Sequence, residues 1–405
     1  MPISEKQKGI LAFPYTDYDA LIADGAIRSG KSSFMTIAFI DWAMRCFNGQ
    51  RFGLCGKTVD SCTKNIIDPY MATNYAKESY AIRWRRAEKV LEVRKGGTVN
   101  LFEVFGGKDE SSYMLIQGRT LAGVLLDEVA LMPRSFVEQA TSRCSVDGSK
   151  LWFNCNPAGQ LHWFNQEWVL HPEKHNALHL HFTMDDNPSL SDRVRARYES
   201  MYSGVFYDRY IKGLWVAAEG LIYDMFDPSR HVADTMPEDD GLYYVSADFG
   251  IQNATVFLLW AQEKCSDRWL CLDEWYYSGR EKRRQVTVSE LVQGMETMLG
   301  DRWPYRVIID PSAAALDVEL RKAGYSTLAA DNDVLNGISD VSTMLQKGKL
   351  LFSSSCVHTI EEFGVYCWDE KAAQNGIDRP VKENDHAMDS CRYLVRTKRL
   401  ARFMG

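Results

Sequence analysis

Residues 19–40 read Asp-Ala-Leu-Ile-Ala-Asp-Gly-Ala-Ile-Arg-Ser-Gly-Lys-Ser-Ser-Phe-Met-Thr-Ile-Ala-Phe-Ile. The apolar run 20–23 predicts a buried strand, 25–31 a glycine-bounded loop, and 32–47 a helix. Gly25 to Ser32 fits the pattern G-x-x-x-x-G-K-[ST]. Two glycines let the backbone wind so that its N–H groups face a phosphate, and the helix start adds a partial positive charge. Lys31 then reaches the β- and γ-phosphates, and the Ser32 hydroxyl is a Mg²⁺ ligand. The competing reading is an ordinary glycine turn before a helix.

Such a loop needs an acidic strand end, and Val124-Leu125-Leu126-Asp127-Glu128 supplies one. Asp127 is placed in the Mg²⁺ shell and Glu128 against the attacking water, a doubled carboxylate that suits hydrolysis. Leu151-Trp152-Phe153-Asn154-Cys155-Asn156-Pro157 reads as a further strand ending in amides. Asn156 either senses the γ-phosphate or, with Pro157, only turns the chain. Arg28 and Arg143 are the candidate arginine fingers. Strands are also expected at 51–55, 113–116, 124–126 and 151–153, and their alternation with helices predicts a mostly parallel α/β sheet.

The chain has 405 residues, a length that suggests two or three domains. A formal net charge of −7 argues against a generally basic nucleic-acid coat, though local basic grooves remain compatible with it. No run approaches the roughly 20 apolar residues of a membrane span, and the polar N-terminus lacks a signal-peptide core, so a soluble, cytoplasmic protein is expected. The ten cysteines form no C-x-x-C pair and read as scattered buried thiols. His179 and His181 alternate as strand-face residues, without the further ligands of a zinc site.

An irregular, acidic stretch at 220–240 marks a boundary. Beyond it, strands at 243–248, 255–260 and 269–276 suggest an antiparallel meander, followed by a helix at 289–299, a strand at 307–310 and a helix at 386–399. Acids stand where these apolar strands end: Asp248, Asp310, and Asp389 at the last helix, with His386 three residues before it on the same face. Converging, the three aspartates would bind two divalent ions for phosphodiester cleavage, Mg²⁺ or Mn²⁺ rather than zinc. Each alone is as readily a turn former or cap. Asp273 and Glu274 are reserve candidates, and Asp385 reads as a helix cap. Basic stretches at 280–284 and 392–402 either neutralise a nucleic-acid backbone or form solvated faces.

With both halves in view, the chain resembles the large terminase subunit of tailed bacteriophages. The resemblance rests on 25–32, 118–128, Asn154 to Pro157 with His162-Trp163, Gly213-Leu214-Trp215 with Glu219-Gly220, and Asp385 to Asp389. It implies a P-loop ATPase domain with a parallel sheet over 1–185, a linker or lid over 186–237, and an RNase H-like mixed α/β nuclease domain over 238–405. By resemblance, the nucleotide site comprises Gly25, Ser29, Gly30, Lys31, Ser32, Ser33, Asp127 and Asn156, with Glu128 catalytic and Arg28 of undecided role. Asp248, Asp310 and Asp389 become the nuclease metal ligands. The implied cofactors are ATP, Mg²⁺ at the ATPase site and two Mg²⁺ or Mn²⁺ ions at the nuclease site. The implied partners are double-stranded DNA, the portal protein of the procapsid and the small terminase subunit. The chain would work as a homo-oligomeric ring when packaging, with a monomer in solution also compatible, in the cytoplasm of the infected host and away from membranes. Two alternatives differ from this: a P-loop helicase or translocase whose second half only grips DNA, and a nucleotide-dependent docking protein without turnover.

Overall fold

A computed structural model describes residues 3–202, 204–250, 254–279, 284 and 286–402. The chain divides into two compact units, Met1–Ala196 with Val205–Ala217, and Arg197–Gly204 with Ala218–Gly405. The stretch 186–237 is therefore shared between them rather than standing apart.

The first unit is built on eight strands: β1 (Ala20–Gly25), β2 (Arg51–Gly56), β3 (Ala81–Arg85), β4 (Val90–Lys95), β5 (Thr98–Gly106), β6 (Gly123–Asp127), β7 (Lys150–Asn154) and β8 (Ala177–Phe182). Their order is β3-β4-β5-β2-β6-β7-β1-β8. From β5 to β8 every pairing is parallel, while β3, β4 and β5 form an antiparallel edge. Burial on both faces explains why β1 and β6 read as unbroken apolar runs. Helix Lys31–Cys46 packs one face of the sheet through Phe39 and Trp42, whose rings meet Phe52, Phe102 and Trp152 mostly edge-to-face.

One expected strand is replaced by a helical turn. Residues 113–116 fall at the end of the short helical segment Glu110–Leu115, with Tyr113, Met114 and Leu115 38%, 56% and 54% exposed. Asp109 commits the chain to that turn by accepting the Ser111 N–H at 3.1 Å. A four-residue apolar run has too little period to separate strand from helix.

The second unit carries β9 (Val232–Ala233), β10 (Tyr243–Asp248), β11 (Ala254–Gln262), β12 (Trp269–Ser278), β13 (Pro304–Ile309), β14 (Thr327–Ala329) and β15 (Leu350–Ser353), ordered β14-β13-β10-β11-β12-β15-β9. The expected antiparallel meander β10-β11-β12 is present, and β13 joins β10 in parallel. Helix Val288–Leu299 buries Leu291, Val292 and Met295 against the sheet, and the last helix, His386–Thr397, packs on β10 and β11. This is the mixed α/β architecture expected of the second half. Among the described residues no helix is long and apolar enough to cross a membrane.

Trp152 is fully buried, with Phe13 edge-on at 4.7 Å. Trp152→Ala should destabilise the first unit by about 3–5 kcal/mol, read as an earlier denaturant midpoint for that unit.

Candidate active sites

In the first unit the topology decides which side chains meet. β7 lies between β1 and β6, so the loop after β1, the acid ending β6 and the amide ending β7 open at one edge. Gly25 (φ 120°) and Gly30 (φ 87°) adopt left-handed backbone, and a Cβ on Gly25 would stand 2.0 Å from the Phe182 carbonyl oxygen. Lys31 is buried. Its Nζ donates to the carbonyls of Gly25 (3.0 Å) and Ala26 (2.7 Å), to Ser29 Oγ (3.2 Å) and to Asn156 Oδ1 (3.3 Å). Burial lowers its pKa to about 8.

Ser32 Oγ donates to Asp127 Oδ1 at 3.1 Å, and Asn154 Nδ2 donates both to Ser32 Oγ at 2.7 Å and to Asp127 Oδ1. Burial raises the Asp127 pKa, against the hydrogen bonds of Asn154, Ser32 and Asn65. Glu128 is non-glycine at φ 61°, and its pKa rises to about 7, first from burial and then from the Asp127 charge. Strained backbone at an acid poised near neutrality is a signature of a working site.

The loop and these acids line a cleft of ≈ 500 Å³ that includes Arg28, Ser29, Gly30, Ser33, Glu128 and Asn156. Gly25 stands at its root through the Lys31 bond. Arg143 is elsewhere: its carbonyl accepts the Leu121 N–H at 2.9 Å, just before β6 begins and so at the opposite end of the strands. It cannot serve the cleft of its own chain, whereas Arg28 lines that cleft. Asn154, Asn65 and Asn187 also face the cleft. Asn154 had a readable signal, since it ends β7 in register with Asp127 at the end of β6.

In the second unit the three aspartates gather around Tyr393. Its hydroxyl donates to Asp310 Oδ2 at 3.2 Å and to Asp248 Oδ1 at 3.5 Å, and the Asp389 charge also acts on it. His386 Nδ1 bonds Asp248 Oδ2 at 2.9 Å. Burial raises the Asp248 pKa, and Asp389 and Asp385 add repulsion. Burial also pushes Asp310 upward, but bonds from Ser312, Asn332 and Tyr393 hold it below the ordinary value. Arg392 Nη2 grips Asp389 Oδ1 at 2.8 Å. Among the described residues no three His, Cys, Asp or Glu side chains are already arranged to hold a metal ion. The donor chemistry still suits a hard cation, because Asp248 and Asp310 both accept from the Tyr393 hydroxyl and the Asp389 charge acts on the same group.

Several expected roles change. Asp385 makes no side-chain cap and pairs with Lys382 at 3.2 Å. The cap is Glu362, whose Oε2 accepts the N–H groups of Ala387 (2.7 Å) and Met388 (3.2 Å). Glu274 is spent on another helix start, accepting the N–H groups of His358 (2.7 Å) and Thr359 (2.9 Å), and Asp273 accepts from Ser355 Oγ at 3.4 Å. In the basic tail, Arg392 is 2% exposed, and Arg396 is held by Asp331 and Asp340 at 3.2 and 2.9 Å, so neither offers its charge to a nucleic acid. Residues 280–283 of the other basic stretch lie outside the described residues. His179 and His181 project from β8 and both bond Asp24.

No family model matches the chain. The large terminase of a thermophilic bacteriophage is 48% identical, with 98% of this chain and 99% of that one covered at a TM-score of 0.92. The complex of that terminase with ATP-γ-S is similar at 47% identity and a TM-score of 0.90, over 98% and 99% of the two chains. The curated terminase large subunit of Escherichia phage T5 is 24% identical over 326 residues, 76% of this chain and 71% of that protein.

A base must be ionised to act, so if Glu128 is the base of nucleotide hydrolysis, its pKa of about 7 sets the acid limb. The kcat/KM for ATP should be level above about pH 7 and fall roughly tenfold per unit below it. Glu128→Gln should abolish turnover at every pH in a phosphate-release assay.

Proposed function

This chain belongs to the large terminase subunits of tailed bacteriophages, and from its two sites we infer an ATP-driven DNA-packaging motor joined to an endonuclease. The observation that carries the motor half is the bond set of Ser32, Asp127 and Asn154 at adjoining strand ends. The loop N–H groups and Lys31 would hold the phosphates, and Glu128 would take the proton of the attacking water. Mg²⁺ would be held by Ser32 and Asp127 and would supply positive charge to the phosphates. Ser29 already turns its hydroxyl onto the Ala26 carbonyl at 3.0 Å, so its contribution is the backbone of the loop. Asn156 meets the Lys31 amine at 3.3 Å, which favours the phosphate-sensing role over a bare turn. Arg28 could complete the site in cis, and an arginine of a neighbouring copy in a ring could complete it in trans.

Asp248, Asp310 and Asp389 would form the nuclease centre. Divalent ions held there would supply Lewis-acid charge, while Tyr393, His386 and Arg392 orient the carboxylates. Their convergence speaks against a second half that merely grips DNA. Double-stranded DNA is what the motor moves and the nuclease cuts, and packaging also calls for the portal protein and the small subunit in the host cytoplasm.

The first unit offers a surface for the duplex. On the β3–β5 edge, Glu92 is held by Arg85 and Arg94, and Glu103 by Arg51 and by Arg119 at 3.4 Å. Each buried glutamate thus faces two arginines, and exposed Arg83, Arg86 and Lys89 outweigh the one further acid of the edge, Glu88. A phosphate backbone is the ligand such a face suits.

Two measurements on the full chain check this reading. Glu128→Gln should stop ATP turnover and packaging while leaving DNA cleavage, and Asp248→Ala should do the reverse; loss of both activities in either variant would contradict it. Arg83→Ala with Arg86→Ala should weaken DNA binding and flatten the slope of log K against log salt by about one for each phosphate no longer neutralised.

A further inference from the structure

Asp24 is fully buried immediately before the phosphate loop, yet it has no part in the chemistry above. Its Oδ1 is bonded by His179 Nε2 at 2.8 Å and His181 Nδ1 at 3.1 Å, both on the neighbouring strand β8. Its Oδ2 accepts the indole N–H of Trp215 at 2.7 Å. Burial alone would push this carboxyl upward, but the two histidines more than offset that and hold it well below the usual carboxylate range. Trp215 belongs to Gly213-Leu214-Trp215, a motif to which neither active site assigns a role.

Residues 205–217 run over the phosphate loop as a strap, seated at three points. The Ile27 N–H donates to the Tyr210 carbonyl at 2.8 Å. Gly213, at φ 76°, leaves room where a Cβ would stand 2.8 Å from the Ala26 nitrogen. The third point is the Trp215–Asp24 bond, with the Trp215 ring 6.2 Å from that of His162, downstream of Asn156. Arg209, itself buried, donates to the Val216 carbonyl at 3.0 Å and holds the strap in this course. After Ala217 the chain enters the second unit.

We propose that Asp24 is a positioning residue that locks the 205–217 strap to the phosphate loop through Trp215, so that nucleotide in the loop is felt in the strap. A shift of the loop around a bound phosphate moves Gly25, Ala26 and Ile27, and each is next to or bonded to the strap or its anchor. The inference rests on the nucleotide-site reading given above.

Hydrogen exchange on the full chain tests it, with Mg²⁺ and ATPγS as the probe and melting temperature reporting that the nucleotide is bound. In the native chain ATPγS should slow exchange of the 205–217 amides by about threefold or more. Trp215→Phe keeps the ring and loses the N–H. Its strap should exchange faster and ignore ATPγS, although ATPγS still raises its melting temperature. Asp24→Asn, which weakens the same bond and carries the test if the first variant does not fold, should behave alike. Either variant showing the full native slowing overturns the proposal, as does a native chain that binds ATPγS without any response in the strap. A native chain whose melting temperature ignores ATPγS overturns the nucleotide-site reading instead.

Discussion

Everything at the nucleotide cleft depends on a strand that carries no catalytic acid. β7 separates β1 from β6, and its register sets Asn154 level with Asp127. From there one amide bonds the Ser32 hydroxyl and the Asp127 carboxylate together. Neutral donors make it possible to bury that carboxylate, which would otherwise cost several kcal/mol. Among the described residues no such donor offsets the burial of the neighbouring Glu128, whose pKa rises to about 7. Burial pushes both adjacent acids upward, but only at Asp127 do hydrogen bonds and the Lys31 charge oppose it. That difference suits the roles proposed above, Asp127 for the cation and Glu128 for the proton.

The second unit solves a harsher form of the same problem. Asp248 ends β10, Asp310 follows β13 and Asp389 belongs to the last helix; burial raises the Asp248 pKa, and the charges of Asp389 and Asp385 add to that. The fold answers with donors at each one: His386 on Asp248, Asn332 and Ser312 on Asp310, Arg392 on Asp389, and the Tyr393 hydroxyl between the first two. Gly337 leaves the space that the Arg392 side chain fills, since a Cβ there would lie 2.3 Å from Arg392 Cγ. Buried arginine at the site, rather than exposed arginine at a tail, is therefore what the last helix supplies.

Local pattern made much of this legible. The glycine-bounded loop, the apolar run into Asp127 and Glu128, the three-strand meander and the acids at strand ends each follow from short-range chemistry and are found where expected. What escaped depended on partners distant in sequence. Whether Arg392 meets DNA or Asp389 turns on helix Val334–Gln346 opening a gap at Gly337, and nothing near residue 392 encodes that. Glu362 and Asp385 exchanged the capping role because the better-placed carboxylate came from another helix. The edge strands β3 and β4, which are not among the strands expected from the sequence, alternate charged and apolar residues. The helical turn at 110–115 was fixed by a single aspartate cap.

If Asn154 joins Ser32 and Asp127 into one cation-holding pair, its removal must be felt only when the cation is present. Calorimetric binding of ATPγS to the native chain and to Asn154→Ala, each with Mg²⁺ and with EDTA, reads this directly. The substitution should weaken binding by about tenfold in Mg²⁺, the worth of one buried hydrogen bond, and leave binding in EDTA unchanged. Equal affinities for the two chains in Mg²⁺ would contradict the role assigned to Asn154.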